Sequence, residues 1–161
     1  MSDTTRVVFD CNVFIQALGA PSGPAGECVK LVLDGKVALF VSPRVLSELR
    51  SVATRSKVAA KLRVRASRID RFIANIESVA RVIEFFAEIF TYQRDPADAH
   101  YINLAVAAGA NHVVTRDKDL LELMDRSKRD GQKFHRQFPA LRIVDPVSFL
   151  KELAPREEGH G

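Results

Sequence analysis

Only two cysteines, Cys11 and Cys28, occur in 161 residues, and neither stands in a C-x-x-C or similar spacing. That excludes a disulfide framework and a thiolate metal centre, and both thiols are expected to stay reduced, with Cys11 packed into a first helical turn. The four histidines, His100, His112, His135 and His160, share no ligand spacing and are expected to be surface or helix residues. No apolar run approaches the roughly 20 residues that span a bilayer. The opening Met1-Ser2-Asp3-Thr4-Thr5 lacks a signal-peptide pattern. A cytoplasmic protein with no membrane segment is expected. Internal repeats and any second domain are also missing, and 161 residues suffice for one buried core.

What the chain does have is alternation of strand and helix patterns. Arg6-Val7-Val8-Phe9 reads as a short buried strand, Val37-Ala38-Leu39-Phe40-Val41 as a second, and residues 81–86 as a weak third. Asn111-His112-Val113-Val114-Thr115 and Arg142-Ile143-Val144 follow later. Between them lie helical patterns at 13–18 and 25–33, and a helix opened by Ser42-Pro43 as cap and first-turn proline. One or two basic amphipathic helices follow over 57–80, with Val58, Leu62, Ile69, Phe72, Ile73 and Ile76 inward. An apolar helix at 100–108 ends at Gly109, with Asp95 as its expected N-cap and Asp98 in its first turn. Residues 125–140 are too irregular to assign, and a closing helix reaches Leu153 before a disordered tail at 155–161. Such alternation predicts an α/β fold, a parallel sheet with helices on both faces, in one domain over residues 1–154.

Charge is unevenly spread. The formal net charge is only +4, but between Arg50 and Arg71 there are eight cations and one acid, Asp70. A run of this kind is usually a solvated helix face, and it grips a polyanion only if an anion-handling site exists elsewhere. Acids supply that site. Asp10 follows the first strand, Glu48 lies just past the second, Asp98 opens the apolar helix and Asp117 follows the Val113-Val114 strand. In an open parallel sheet ligands collect at the carboxyl ends of the strands, where these four residues can converge. Each of them singly also reads as a helix cap or an exposed residue. Together they would repel one another unless a divalent cation held them, and oxygen ligands without His or Cys favour Mg²⁺ or Mn²⁺.

Four motifs in order carry a family resemblance: Val7-Val8-Phe9-Asp10-x-Asn12-Val13; Ser42-Pro43-x-x-Leu46-x-Glu48-Leu49; Arg94-Asp95-Pro96-x-Asp98; and Ala107-Ala108-Gly109-Ala110-x-x-Val113-Val114-Thr115-x-Asp117-Lys118-Asp119-Leu120. The set resembles the PIN-domain nucleases, most of all the bacterial toxins of toxin–antitoxin systems, over nearly the whole chain. That resemblance implies a five-stranded parallel sheet in a three-layer α/β/α domain. It also implies a metal-dependent ribonuclease with Asp10, Glu48, Asp98 and Asp117 as its acidic site. Asp10, Asp98 and Asp117 would hold the Mg²⁺ or Mn²⁺, supported by Asn12, Thr115, Asp119 and Asp95. RNA would be the substrate, gripped by Arg55, Lys57, Lys61, Arg63 and Arg65. An antitoxin partner and a homodimer follow from the family analogy alone.

Two departures stand out. Cys11 replaces a threonine often found between the first Asp and Asn, and the stretch before the last strand is long and basic. That stretch reads as a disordered loop or as an RNA-gripping flap, with Phe134 and Phe138 stacking on bases. Two rival functions stay open: a catalytically silent module binding RNA or protein, and a phosphotransfer or phosphatase domain with a nucleophilic Asp and Lys118 beside it.

Overall fold

The computed structural model describes the backbone of residues 4–158 and, except for Ser56 and residues 155–158, their side chains. The chain runs β1 (Thr5–Phe9), α1 (Cys11–Gly19), α2 (Pro24–Leu33), β2 (Val37–Val41), α3 (Pro43–Thr54), α4 (Ser56–Leu62) and α5 (Ala66–Val79). It continues through β3 (Arg81–Val82), α6 (Ala99–Ala108), β4 (His112–Val114), α7 (Lys118–Leu121), α8 (Arg129–Gln137), β5 (Arg142–Val144) and α9 (Pro146–Glu158). All strand pairs are parallel, in the order β3-β2-β1-β4-β5.

That order fixes where a site can form. The chain winds outward from β1 through β2 to β3, then returns across the sheet to β4 on the other side of β1. Right-handed crossovers run in opposite senses must lie on opposite faces, so α1 to α5 cover one face and α6 the other. The reversal opens a crevice between the carboxyl ends of β1 and β4. On one face Phe9 packs at 5.6 Å against Phe14 of α1 and at 6.4 Å against Phe149 of α9. Rings buried this fully contribute about 1.5–3 kcal/mol each. Local signals start and stop the helices as the residues dictate. Ser42 Oγ accepts from the Val45 N–H at 3.1 Å ahead of Pro43, and Gly109 ends α6 with φ +64. The α/β/α sandwich with a five-stranded parallel sheet is the one expected.

Several expectations need correction. The strand expected at 81–86 keeps only two residues, and the chain from 83 to 98 has no regular structure. Helix α6 starts at Ala99 with Asp98, not Asp95, at its N-cap. Residues 125–140 are neither a disordered loop nor a base-stacking flap, because α8 forms there and seats Phe134, 1% exposed, in the core. Phe134 meets Phe90 edge-on at 5.5 Å and Phe138 at a tilt at 5.2 Å, so its ring faces protein. Gly131 lets α8 close on the preceding turn: a Cβ there would lie 2.0 Å from the Asp125 carbonyl oxygen. Helix α9 continues to Glu158, past the expected Leu153, so the first residues of the expected tail are helical. The rest of that tail, 159–161, lies outside the described residues together with His160. His112 is no surface residue: it is buried on β4, with Nε2 3.3 Å from Glu152 and its ring edge-on to Phe149. No helix among the described residues is long and apolar enough to cross a membrane.

Candidate active site

Asp10 sits at the end of β1 because the strand breaks there into α1. Its Oδ1 accepts the Asn12 N–H at 3.1 Å and so caps the helix. Its Oδ2 accepts the Thr115 hydroxyl at 2.7 Å. Thr115 Oγ1 in turn accepts the Asp117 N–H at 3.0 Å, which ties the ends of β1 and β4 together through one buried hydroxyl. Asp117 caps α7, its Oδ1 accepting from the N–H groups of Asp119 at 2.7 Å and Leu120 at 3.4 Å. Capping and site formation are therefore compatible: each of these carboxylates has two oxygens, and the cap fixes the direction of the other.

Asp98 behaves differently. It occupies the N-cap position of α6 but makes no capping hydrogen bond. Its Oδ2 is buried without a hydrogen-bond partner among the described residues. Burial pushes its carboxyl well above the usual carboxylate range, and the adjoining Asp117 and Asp95 carboxyls push it further. Asp10 is raised mainly by burial too, offset in part by the Thr115 and Asn12 hydrogen bonds, with Asp117 and Asp95 adding to the rise. An aspartate at a helix start that neither caps nor finds a donor is costly, since a buried carboxylate wants donors or a counter-charge.

The carboxylates of Asp95, Asp117 and Asp119 each offer an oxygen within 4.8 Å of the others, a spacing that suits one cation. Asp117 is common to this group and to the Asp10–Asp98–Asp117 set expected from sequence, whereas Asp10 and Asp98 of that set stand outside this group. Asp119 is also tethered: Arg94 lies 3.7 Å from its carboxylate and Tyr92 donates to its carbonyl at 2.8 Å. Arg94 and Lys128 both pair with Glu122. Asn12 contributes its backbone N–H to Asp10 and leaves its side chain exposed.

Glu48 joins the site through a residue the sequence reading missed. Tyr101, 3% exposed on α6, accepts the Cys11 N–H at 3.2 Å and donates its hydroxyl to Glu48 Oε2 at 3.3 Å. Because Cys11 already supplies a proton to the phenol oxygen, the phenol proton is left for Glu48. Burial, with Asp10 and Glu48 nearby, pushes the phenol upward, so it stays a donor. Cys11 keeps its proton as well: burial first, then Glu48 and Asp10, push the thiol up to about 12. A second missed residue is Asn103, whose Oδ1 accepts from the N–H groups of Ile89 at 2.9 Å and Phe90 at 2.8 Å. Its Nδ2 donates to the Phe90 carbonyl at 2.9 Å. The only signal for either was a polar tip inside an otherwise apolar helix pattern.

The expected phosphate-gripping cations Arg55, Lys57, Lys61, Arg63 and Arg65 are all exposed around α4, which follows the helix that carries Glu48. Arg55 lies near enough for its charge to be felt at Cys11. The other basic cluster is partly engaged within the protein, Lys128 with Glu122 at 3.1 Å and Arg126 with His135 at 3.1 Å. The donor set at the crevice is all oxygen, with one buried carboxylate oxygen lacking a donor, and it fits a hard divalent cation.

Comparison with known proteins agrees with this architecture. Residues 6–119 match the family model described as "PIN domain". An uncharacterized protein of Methanocaldococcus jannaschii, MJ1680, is 33% identical over 148 residues, which cover 91% of this chain and 90% of that one. Among solved structures, VapBC2 from Rickettsia felis bound to a DNA fragment from their promoter shares the fold. Its TM-score is 0.51 at 17% identity, over 88% of this chain and 98% of that one. The family model, which matches well over half of the chain, shows that this chain belongs to the PIN-domain family.

Proposed function

We propose that this PIN-domain protein is a Mg²⁺- or Mn²⁺-dependent endoribonuclease acting in the cytoplasm as the toxin of a toxin–antitoxin pair. The observation that carries the reading is Asp98: a buried carboxylate at a helix start, pressed against Asp117 and Asp95, with one oxygen left without a donor. Asp10, Asp98 and Asp117 would hold the cation, and Asp95 and Asp119 complete the acidic wall. When bound, such a cation lowers the pKa of a coordinated water and stabilises negative charge on phosphate oxygens.

The chain's own residues do the rest. Thr115 fixes the rotamer of Asp10, and Tyr101 holds Glu48 by its Oε2. Glu48 orients the attacking water and takes its proton as the water oxygen bonds to phosphorus. The P–O bond to the leaving oxygen breaks, and that oxygen takes a proton from solvent. Arg55, Lys57, Lys61, Arg63 and Arg65 draw the phosphate backbone toward the crevice, a contact that weakens steeply with salt and reads little sequence. The likeness to a toxin–antitoxin complex supports an antitoxin as protein partner, and a homodimer belongs to the same reading.

The test is end-labelled single-stranded RNA incubated with Mn²⁺ or with EDTA, beside Asp10→Asn and Asp98→Asn. Cleavage is expected in Mn²⁺ with wild-type protein alone. Cleavage that persists in EDTA and in both variants would sink the proposal. Retention of uncleaved RNA by wild-type protein in Mn²⁺ would instead identify a silent binding module.

A further inference from the structure

Beside the acidic crevice, starting at Asn12, lies an open cleft of about 590 Å³ between α1, the start of α2, and α3 and α4. We infer that this cleft holds one unstacked nucleobase of a single-stranded RNA whose neighbouring phosphate lies at the acids. The inference rests on the nuclease reading and adds a substrate-recognition subsite to it. Its walls are apolar side chains, Ile15, Val52, Val58 and Leu62, all half-buried. Its rim carries Lys61 and Arg116, and no acid stands among the described residues that line it.

Three features select a nucleobase as occupant. The volume lies within the roughly 300–1,000 Å³ of small-ligand clefts. The combination of an aliphatic wall and a cationic rim matches a base attached to a phosphate chain, since an unstacked base is held between apolar side chains while cations take the backbone. Amides supply the third: Arg116 Nη1 donates to Gln16 Oε1 at 2.7 Å, which leaves the Gln16 amide NH₂ group to face a base edge. Asn12 presents a second, exposed amide where the cleft meets the acids, two residues from Asp10. The close seating of α4 on α1 keeps the cleft formed: a Cβ on Gly19 would lie 2.6 Å from Leu62 Cδ2.

The experiment uses the full chain and two fluorescein-labelled RNA hexamers, one of adenylate alone and one with abasic riboses at all six positions. Binding is read by anisotropy in EDTA, where no hydrolysis is expected, and cleavage separately in Mn²⁺. Wild-type protein should bind the intact hexamer about tenfold more tightly than the abasic one, the scale of burying one base face against aliphatic side chains. Val58→Trp, which fills the cleft, should erase that preference. Should Val58→Trp fail to fold, Lys61→Gln keeps the question open to refutation, because it should weaken both hexamers alike and leave the tenfold ratio standing. Equal binding of the two hexamers by wild-type protein, binding of neither, or an undiminished preference in folded Val58→Trp would overturn the inference. A base preference without cleavage would sink the nuclease reading and keep the subsite, whereas cleavage without a base preference would do the reverse.

Discussion

Replacing Asp98 by Asn should make the metal-free protein more stable while removing its response to cations. In the folded state the Asp98 carboxyl lies above its ordinary range because it is buried against Asp117 and Asp95. A carboxyl raised on folding favours the fold while protonated, so its contribution is present below the unfolded value and is lost as pH rises through the folded one. At pH 8, above the unfolded value and just below a folded value of about 9, the wild-type protein has lost most of that contribution, taken as about 1–3 kcal/mol for a buried group without its hydrogen bonds. Asn bears no charge and fits the same space. Taking about 2 kcal/mol, and about 2–4 °C per kcal/mol for a domain of this size, Asp98→Asn should melt roughly 4–8 °C above wild type at pH 8 in EDTA. At pH 5 the gap should narrow. Adding Mn²⁺ at about 100 times its Kd should stabilise wild type by about 2.7 kcal/mol and leave the variant unmoved. Differential scanning calorimetry at both pH values, with and without Mn²⁺, reads all of this without an activity assay. A variant that melts below wild type at pH 8 in EDTA, or that gains as much from Mn²⁺, would refute the reasoning.

Other perturbations separate the roles of neighbouring groups. Thr115→Val removes the hydroxyl that joins Asp10 to the Asp117 backbone and should weaken cation binding about 10- to 100-fold, measured by titration calorimetry. Tyr101→Phe takes the proton from Glu48 and should lower kcat for RNA about tenfold with KM unchanged, whereas a merely structural ring would leave both alone. Phe134→Ala should cost about 3–5 kcal/mol in urea unfolding, since the ring is core and not surface; a loss under 1 kcal/mol would return it to the RNA-facing role.

The fold was legible because apolar runs with β-branched residues alternate with helices marked by Ser42-Pro43 and Gly109, and those local choices agree with the global arrangement. Helix α8 was hidden because its sequence RDGQKFHRQ turns only Gly131 and Phe134 inward, too few for a period to show. The positions of Asp10 and Asp117 followed from strands ending at Phe9 and Val114. Asp98 was harder to place, because its helix begins three residues later than the Asp95-Pro96 start signal suggested. Tyr101 and Asn103 could not be read at all, since their partners lie on other elements and a linear pattern carries no record of where a side-chain tip ends up.

Asn103 also imposes a rule about chain length. With three hydrogen bonds its amide imitates the peptide edge of a neighbouring strand, so Ile89 and Phe90 are pinned to the very helix that Asp98 begins. The span from that clasp to Asp98 is a closed ring of fixed circumference, and one residue inserted or deleted there must drag an acid out of the crevice. Upstream, between β3 and Ile89, Ile83 and Phe86 are packed, but Glu84, Phe85, Ala87 and Glu88 are exposed and leave room for the same change. Natural or engineered indels in this protein should therefore collect on the β3 side of Ile89 and be purged on the other.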